Sequence, residues 1–303
     1  MIRKALLIIG VIAMLFVMGC NDTGGGSTTT PPTFYGGTQG VIAEFEQMGM
    51  EDEGIESVWV DNEFPVEVTV KNKGEEAIAI GDLTVTIQGI DTQLFNIADP
   101  EKENEDVLEK ISELNQQGGE ETINFGTAKL TDMTGLFYDA DFFASVVYLY
   151  KTHAAVPKVC FKYDFQDESV CELQETKEVF SSGAPIIVAT VTQEPSGSKR
   201  IGLRFDIENV GGGDVASPNG TFSNLYDQLK FELTEGEGNG IEFTCSSAGN
   251  PEIARFNDGK TSVTCRSNEL ADGTLFTKQV TLELSYKYKD LIQRTVRIRN
   301  EPN

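Results

Sequence analysis

Four of the chain's 5 cysteines, Cys160, Cys171, Cys245 and Cys265, offer its most definite covalent chemistry. An even set of thiols outside the cytoplasm is expected to oxidise in pairs, so we predict two disulfide bonds. Four cysteines allow three pairings. The simplest joins Cys160 to Cys171 and Cys245 to Cys265, because each bond then closes a short loop. A structural zinc site is the alternative, but the spacing contains no Cys-x-x-Cys pair and the single histidine is remote.

His153 is the only histidine, which severely limits catalysis by Ser-His-Asp or Cys-His groups. Its setting, Lys151-Thr152-His153-Ala154, predicts a loop at the end of a strand, where the imidazole is solvated or caps the strand. The chain also has 48 acidic residues, but a carboxylate pair for glycoside cleavage needs a separation that sequence does not define. We therefore predict that the protein is not an enzyme, and a hydrolase is the alternative.

Several other motifs suggest ligands, and most have a simpler interpretation. Asp258-Gly259-Lys260-Thr261 lacks the glycine that a phosphate loop requires at position 254, so a hairpin turn is predicted there. Calcium is an alternative, because Asp139 with Asp141, or Glu51-Asp52-Glu53, can cluster oxygen ligands in loops. No twelve-residue calcium loop is present, and we predict no cofactor and no metal site. Asn219-Gly220-Thr221 matches the N-glycosylation rule.

The formal net charge of −24 excludes whole classes of partner. Binding to nucleic acid requires a concentrated basic face, and the sequence contains no run of lysine and arginine. Anionic lipid headgroups are excluded for the same reason. The length of 303 residues and the hydrophobic content of 39% suit a folded protein with two domains.

The amino terminus has the organisation of a secretion signal. A short positive region precedes an apolar run from Ala5 to Val17, and polar residues begin directly after Cys20. The tetrad Val17-Met18-Gly19-Cys20 resembles the lipobox of secreted lipoproteins. That resemblance implies removal of residues 1–19 and a lipid on the sulfur of Cys20, which would anchor the protein to the outside of the cytoplasmic membrane. An uncleaved signal anchor and a pilin-like signal are the alternatives.

Residues 20–33 are predicted to link this lipid to the folded part of the protein. Asn21 to Pro32 is poor in apolar residues and rich in glycine, threonine and proline, which is typical of a flexible tether. A random coil of this length spans about 20 Å. The folded part would therefore stand just clear of the lipid headgroups.

One pattern occurs twice in the sequence. Apolar and polar residues alternate in Phe64–Asn72, as in a strand with one buried face, and an Asn-x-Gly turn follows. Ile201–Asn209 repeats both the alternation and the turn, 137 positions further on. A second match relates Val146–Tyr150 to Leu284–Tyr288 at an offset of 138. Colinear matches at the start and end of each copy favour duplication of one β-domain over chance similarity.

The repeat divides the chain into two predicted domains, residues 34–180 and residues 185–303, with a linker at 181–184. Short alternating strands separated by turns are typical of immunoglobulin-like sandwiches. Asn104 to Gln117 has apolar residues at helical spacing and ends at Gly118-Gly119, which predicts one short helix inserted into the first domain. The predicted fold is therefore mainly β, with two tandem immunoglobulin-like β-sandwich domains.

Two features of the first domain bear on its surface. Trp59, the sole tryptophan, is expected in the core or at its rim. Phe142–Tyr150 is apolar on both faces, which predicts a central strand or a strand at an interface. If that strand were exposed at an edge, it would suit a subunit of a filament or a surface layer.

Phe64–Gly74 and Ile201–Gly211 resemble the opening strands of the cell-adhesion-related, immunoglobulin-like CARDB modules of archaeal and bacterial surface proteins. The resemblance implies β-sandwich spacers or binding units without catalytic residues. We therefore expect a non-catalytic, lipid-anchored cell-surface protein that presents tandem sandwiches for adhesion, for spacing, or for contact with a protein or glycan. Capture of a solute or glycan is the alternative, as is a subunit of a surface filament or layer.

Overall fold

The computed structural model describes residues 34–300, apart from 53, 168–169, 236–237 and 239. The described residues form strands, turns and loops, and none of them lies in an α-helix. The described residues cluster into one compact unit. The strands are β1 (Val41–Phe45), β2 (Met50–Asp52), β3 (Ile55–Trp59), β4 (Phe64–Asn72), β5 (Leu83–Gln88), β6 (Glu101–Glu103), β7 (Glu120–Ala128), β8 (Phe137–Lys162), β9 (Glu175–Lys177), β10 (Phe180–Ser181), β11 (Ile186–Pro195), β12 (Ile201–Asn209), β13 (Asp214–Ala216), β14 (Gln228–Glu235), β15 (Phe243–Ser246), β16 (Ile253–Arg255), β17 (Lys260–Ser267) and β18 (Leu275–Arg299).

These strands form three sheets. A shared sheet of ten strands has the order β16-β14-β18-β8-β5-β6, with β10 on β8, β3 and β13 on β18, and β2 on β3. A first small sheet (β1-β4-β7) and a second small sheet (β15-β17-β12-β11-β9) contribute to the same core. Phe64 of the first small sheet, for example, packs edge-on against Phe142 of the shared sheet, with ring centroids 6.0 Å apart. The described part of the chain is thus mainly β, with the layers of a β-sandwich.

The sequence repeat is also a structural repeat. β4 and β12 occupy the two predicted segments, and each pairs antiparallel with the strand that opens its copy, β1 or β11. β5 and β14 flank the long strands β8 and β18 in the same way. The prediction that Phe142–Tyr150 is a central strand is confirmed, because this part of β8 pairs with β5 on one side and with β18 on the other.

The two copies meet along β8 and β18, which pair antiparallel from Phe137 with Arg299 to Lys162 with Leu275. At the middle, Leu149 lies opposite Lys287, the residue 138 positions further on. A local two-fold relation at this pair therefore relates one copy to the other, as in an isologous dimer interface. The predicted halves share a sheet and a core, and their division into two domains stays a prediction.

The predicted linker at 181–184 lies at the junction of the copies, and its residues 182–184 are buried. The carboxylate of Glu75 accepts hydrogen bonds of 2.6–2.9 Å from the backbone N–H of Gly183 and from two N–H groups near the start of the described chain. Charge-assisted hydrogen bonds of this kind are stronger than neutral ones. Glu75 thus holds three separate segments together.

The predicted helix at Asn104–Gln117 is wrong. These residues form an irregular loop, in which Leu108 is buried and the other apolar positions are not. Backbone hydrogen bonds from Asn104 to Leu83 and between Leu108 and Ile78 replace those that a helix would make. The side chain of Asn104, 2% exposed, also bonds backbone groups on both sides of the loop. Tertiary pairing therefore overrides the helical spacing.

The turn predicted at Asp258-Gly259 forms, but the strands that it joins enter different sheets. Asn257 and Lys260 exchange backbone hydrogen bonds across it. Asp258 and Gly259 have φ angles of 51° and 71°, the left-handed conformation that this tight turn requires. β16 then joins the shared sheet and β17 joins the second small sheet. The turn is therefore a corner between layers of the sandwich.

Candidate functional site

Both copies contribute to the outer face of the shared sheet, the side opposite the two small sheets. In the central part of β8, the even-numbered residues from Phe142 to Tyr150 are buried, whereas Phe143 is half-buried and Leu149 is 37% exposed. Side chains alternate along a strand with a period of two, so the odd-numbered residues share one face. Their ladder partners on β18 share that face as well. The outer face is the surface on which we place the candidate site.

A cluster of four tyrosines lies directly beneath this face at the middle of the ladder. The rings of Tyr148, Tyr150, Tyr286 and Tyr288 have centroids 5.6–6.4 Å apart. Burial raises the pKa of all four hydroxyls, that of Tyr288 to about 12. The tyrosines therefore stay neutral at physiological pH and form a rigid base for the outer face.

Each copy repeats one hydrogen-bond motif on this cluster. The hydroxyl of Tyr150 donates to Oδ1 of Asn72 and accepts from the backbone N–H four residues after that asparagine. The hydroxyl of Tyr288 does the same with Asn209 and the N–H four residues after it. The Asn-x-Gly turns of the sequence repeat are therefore tied to the ladder, which fixes each small sheet on the shared sheet.

His153 lies on the outer face at the centre of what we call the ionic site. Its Nε2 is 3.6 Å from the carboxylate of Glu76, and its Nδ1 is 3.7 Å from that of Glu283. Lys151 pairs with Glu283 at 2.8 Å. Burial alone would raise the pKa of Glu283, but the hydrogen bond and charge of Lys151 and the charge of His153 lower it overall. The ionic site thus joins a loop of the first copy to β18 of the second.

The two-fold relation places different chemistry at the equivalent position of the other copy. Leu291 corresponds to His153, and Ser145 corresponds to Glu283, because each pair is 138 positions apart. Leu291 and Ser145 are ladder partners, as His153 and Glu283 are. An apolar side chain and a hydroxyl therefore replace the imidazole and the carboxylate.

A groove of about 610 Å³ occupies this second position. Phe143 and Leu291 line it together with three glycines and an ion pair between Lys289 and Asp214. A Cβ on Gly89 would stand 2.3 Å from the ring of Phe143, so only glycine permits this close approach. The groove can hold an apolar group flanked by both signs of charge.

A further apolar region of the outer face, the aromatic end, lies where β3, β18 and β8 run side by side. Trp59 (48% exposed), Arg299 and Phe137 (58% exposed) are ladder neighbours in that order. The guanidinium of Arg297 lies 4.7 Å from the centroid of the Phe137 ring and pairs with Asp139 at 2.6 Å. Trp59 thus lies on the outer face outside the core, because it shares that face with its ladder neighbours.

The structure contains the disulfides Cys160–Cys171 and Cys245–Cys265, the simplest of the three possible pairings. The first closes a loop at the end of β8, and the second joins ladder partners on β15 and β17. All four sulfurs are therefore consumed, which excludes the zinc alternative. Neither bond lines the groove or the ionic site.

The other predicted site residues do not meet in one place. His153 lies inside β8 and pairs with Glu283 of β18. The prediction of a strand-end loop is therefore wrong. Asn219 is exposed in a turn between β13 and β14. Asp139 and Asp141 bind side chains of β18, and Glu53 lies outside the described residues. Among the residues that the structure describes, no group of three or more histidine, cysteine or carboxylate side chains is arranged to hold a metal ion.

Cys20, the signal segment 1–19 and the tether 20–33 lie outside the described residues. Within the described ranges, no helix is long and apolar enough to cross a membrane. Sequence reasoning missed the groove and the ionic site, because their residues come together only through the β8–β18 ladder. The offset of 138 was the signal that could have related the two positions. No protein-family model matches this chain, and comparison with curated proteins gave no match.

Proposed function

We propose that this protein is a non-catalytic, lipid-anchored cell-surface protein that presents two immunoglobulin-like sandwiches as one binding body. The observation that carries the proposal is the β8–β18 ladder, which joins the two copies over the length of both strands. A ladder this long, with the tyrosine cluster beneath it, holds the copies at a constant angle. It also leaves an outer face on which both copies present side chains to solvent.

Exposed apolar and aromatic side chains on that face support a binding role. Trp59, Phe137 and Leu291 are 48%, 58% and 55% exposed, respectively. Exposed apolar patches rimmed by polar residues mark interaction sites on soluble proteins. Tryptophan and arginine are also enriched among the residues that dominate protein interfaces. The aromatic end and the groove are therefore the surfaces that we expect a partner to contact.

The anchoring part of the proposal rests on the lipobox-like tetrad that ends at Cys20. The two disulfides support an extracytoplasmic location, since disulfides persist in oxidising compartments. A lipid on Cys20 and the tether after it would hold the binding body close to the membrane with its outer face free.

Cys20→Ser tests the anchor in cells that express the full chain. We expect the variant to leave the membrane fraction and to lose labelling by a lipid precursor, because the acceptor sulfur is gone. Thr23→Ser is the matched control and should keep both properties. If Cys20→Ser remained in the membrane fraction, the signal would be an uncleaved anchor and the lipid part of the proposal would be wrong.

A second candidate function, capture of a small solute or glycan, is favoured by the groove. Its volume of about 610 Å³ lies within the range of ligand sites, and Phe143 supplies an aromatic ring beside charged groups. Calorimetric titration of the full chain with a panel of sugars and amino acids tests this function. Heat that disappears in Phe143→Ala would support solute capture over contact with a protein.

A further inference from the structure

One edge of β18 is only partly covered by other strands. On the side away from β8, β14 pairs with residues 281–285, β13 with residues 287–289 and β3 with residues 296–299. No strand of the described chain pairs on that side with residues 290–295, a segment that we call the open edge. At about 3.3 Å per residue, the open edge is about 20 Å long. It lies between the segments of β18 that pair with β13 and with β3.

The backbone of the open edge is already arranged for pairing. The carbonyl of Arg299 accepts a hydrogen bond from the β3 side, whereas the N–H of Asn300 donates to the residue just before β8. Backbone polar groups alternate in direction along a strand, so Leu291, Gln293 and Thr295 direct theirs into the gap. The N–H of Leu291 donates to the side-chain carboxylate of Asp290, which leaves the N–H groups of Gln293 and Thr295 for an added strand. β8 holds the same residues in a regular ladder from the other side. Unpaired groups on a rigid strand form a template for another strand.

Two grooves lie at the ends of the open edge. The groove beside Phe143 is lined by residues 289–291 of β18. A second groove, of about 510 Å³, is lined by residues 293–295 and by the β2–β3 turn. Side chains of an added strand would therefore find space at both ends of the gap.

The charges around the open edge favour a basic partner. The positive charge of Arg294 is compensated by the carboxylate of Glu56, 3.4 Å from its guanidinium. The charge of Lys289 is compensated by the carboxylate of Asp214, 2.5 Å from its amine. Glu51 and Asp290 add two further carboxylates to the lining. The net charge of −24 also attracts cationic partners over a longer range.

We propose that the open edge binds an extended, basic segment of a partner protein as an added β-strand, with one apolar side chain seated beside Leu291 and Phe143. Main-chain hydrogen bonds to Gln293 and Thr295 supply affinity, and the two grooves select side chains. This inference rests on the binding role proposed above and is independent of the lipid anchor.

The probe is a capped, fluorescent hexapeptide of alternating lysine and valine, titrated into the full chain in detergent. Two further peptides carry N-methyl groups on one or the other set of alternate amides. Because an added strand pairs through one edge only, one methylated peptide should bind at least tenfold more weakly than the parent, and the other should bind like the parent.

Gln293→Pro removes the N–H at the middle of the open edge, whereas Gln293→Thr keeps it as the matched control. Proline is tolerated on an edge strand whose N–H faces outward, so the fold should survive, and thermal unfolding checks it. We expect Gln293→Pro to lower the affinity for the peptide at least tenfold. Gln293→Thr should change that affinity less than threefold. Leu291→Lys, at a 55% exposed position, should also lower the affinity for the peptide without affecting folding.

Amide hydrogen exchange provides the structural readout, and protection of residues 293–295 by the peptide is expected. Equal binding of both methylated peptides, binding by a folded Gln293→Pro at the parent affinity, or salt-sensitive binding without protection would each overturn the proposal. The absence of peptide binding at millimolar concentration would do the same. None of these outcomes alters the result for Cys20→Ser, so the anchor and the open edge fail separately.

Discussion

The ionic site and the groove occupy equivalent positions in the two copies, yet they differ in side-chain chemistry. His153 and Glu283 face each other in one, and Leu291 and Ser145 face each other in the other. Beneath them, the tyrosine–asparagine motif repeats with the same donors and acceptors. Buried polar groups need their partners, so substitutions there are costly, whereas exposed positions are free to change. The two copies therefore share the base and differ in the side chains above it.

The difference assigns separate tasks to the two positions. The charged groups of the ionic site bridge β8, β18 and the loop at Glu76, so they join the copies. The groove has no such bridge between Leu291 and Ser145, and it opens beside the open edge. One position thus stabilises the junction, and the other remains available for a partner.

The largest effect is expected at the repeated asparagines, which differ in burial. Asn72 is fully buried and donates to two backbone carbonyls, whereas Asn209 is half-buried and donates to one. Asn72→Ala leaves several buried groups unpaired and should lower the free energy of unfolding by about 3 kcal/mol. Asn209→Ala should lower it by about 1 kcal/mol. Denaturant titration of the full chain measures both. Equal losses would show that the two turns contribute alike despite their burial.

The paired tyrosines should give a smaller and more symmetric effect. Tyr150→Phe and Tyr288→Phe each remove a hydroxyl that donates to an asparagine and accepts from a backbone N–H. Each should lower the free energy of unfolding by about 1 to 2 kcal/mol. Tyr138→Phe, at a 44% exposed position, is the control and should change it by less than about 0.5 kcal/mol. A loss confined to one copy would contradict the proposed equivalence.

The smallest effect concerns the pH dependence of the ionic site. The pKa of Glu283 is lowered from 4.5 in the folded protein, so its ionised form favours folding above about pH 4.5. That contribution is lost as the pH falls through the folded pKa. The stability difference between wild type and Glu283→Gln should therefore shrink as the pH falls below 4.5. Ser145→Ala, the equivalent change in the groove, should give a difference that does not vary with pH.

Local sequence patterns predicted the structure reliably where a strand only has to bury one face against an apolar surface. Alternation predicted β4 and β12, and the constant offset predicted their equivalence, because a half-buried strand needs only an apolar face. The same reasoning failed at Asn104–Gln117, where backbone pairing with distant residues decided the conformation. It also placed Trp59 nearer to the core than the structure does, since sequence does not reveal which face of the sheet a strand residue occupies.

The candidate site was harder to predict for a related reason. Phe143 and Leu291 lie 148 positions apart in sequence, and only the β8–β18 register brings them to one groove. His153, a single histidine in a charged neighbourhood, has no local pattern that identifies Glu76 and Glu283 as its neighbours. A one-residue change of register would have moved every one of these side chains to the other face.

By itself, the sequence determined the mainly β content and the two copies, because these depend on short-range periodicity and spacing, whereas it left three pairings of the four cysteines open. Only the tertiary structure decided that the copies join through β8 and β18, that residues 290–295 of β18 stay without a strand on one side, and which exposed side chains share a face. Strand pairing depends on contacts between residues far apart in the chain, and local periodicity carries no record of the partner or the register.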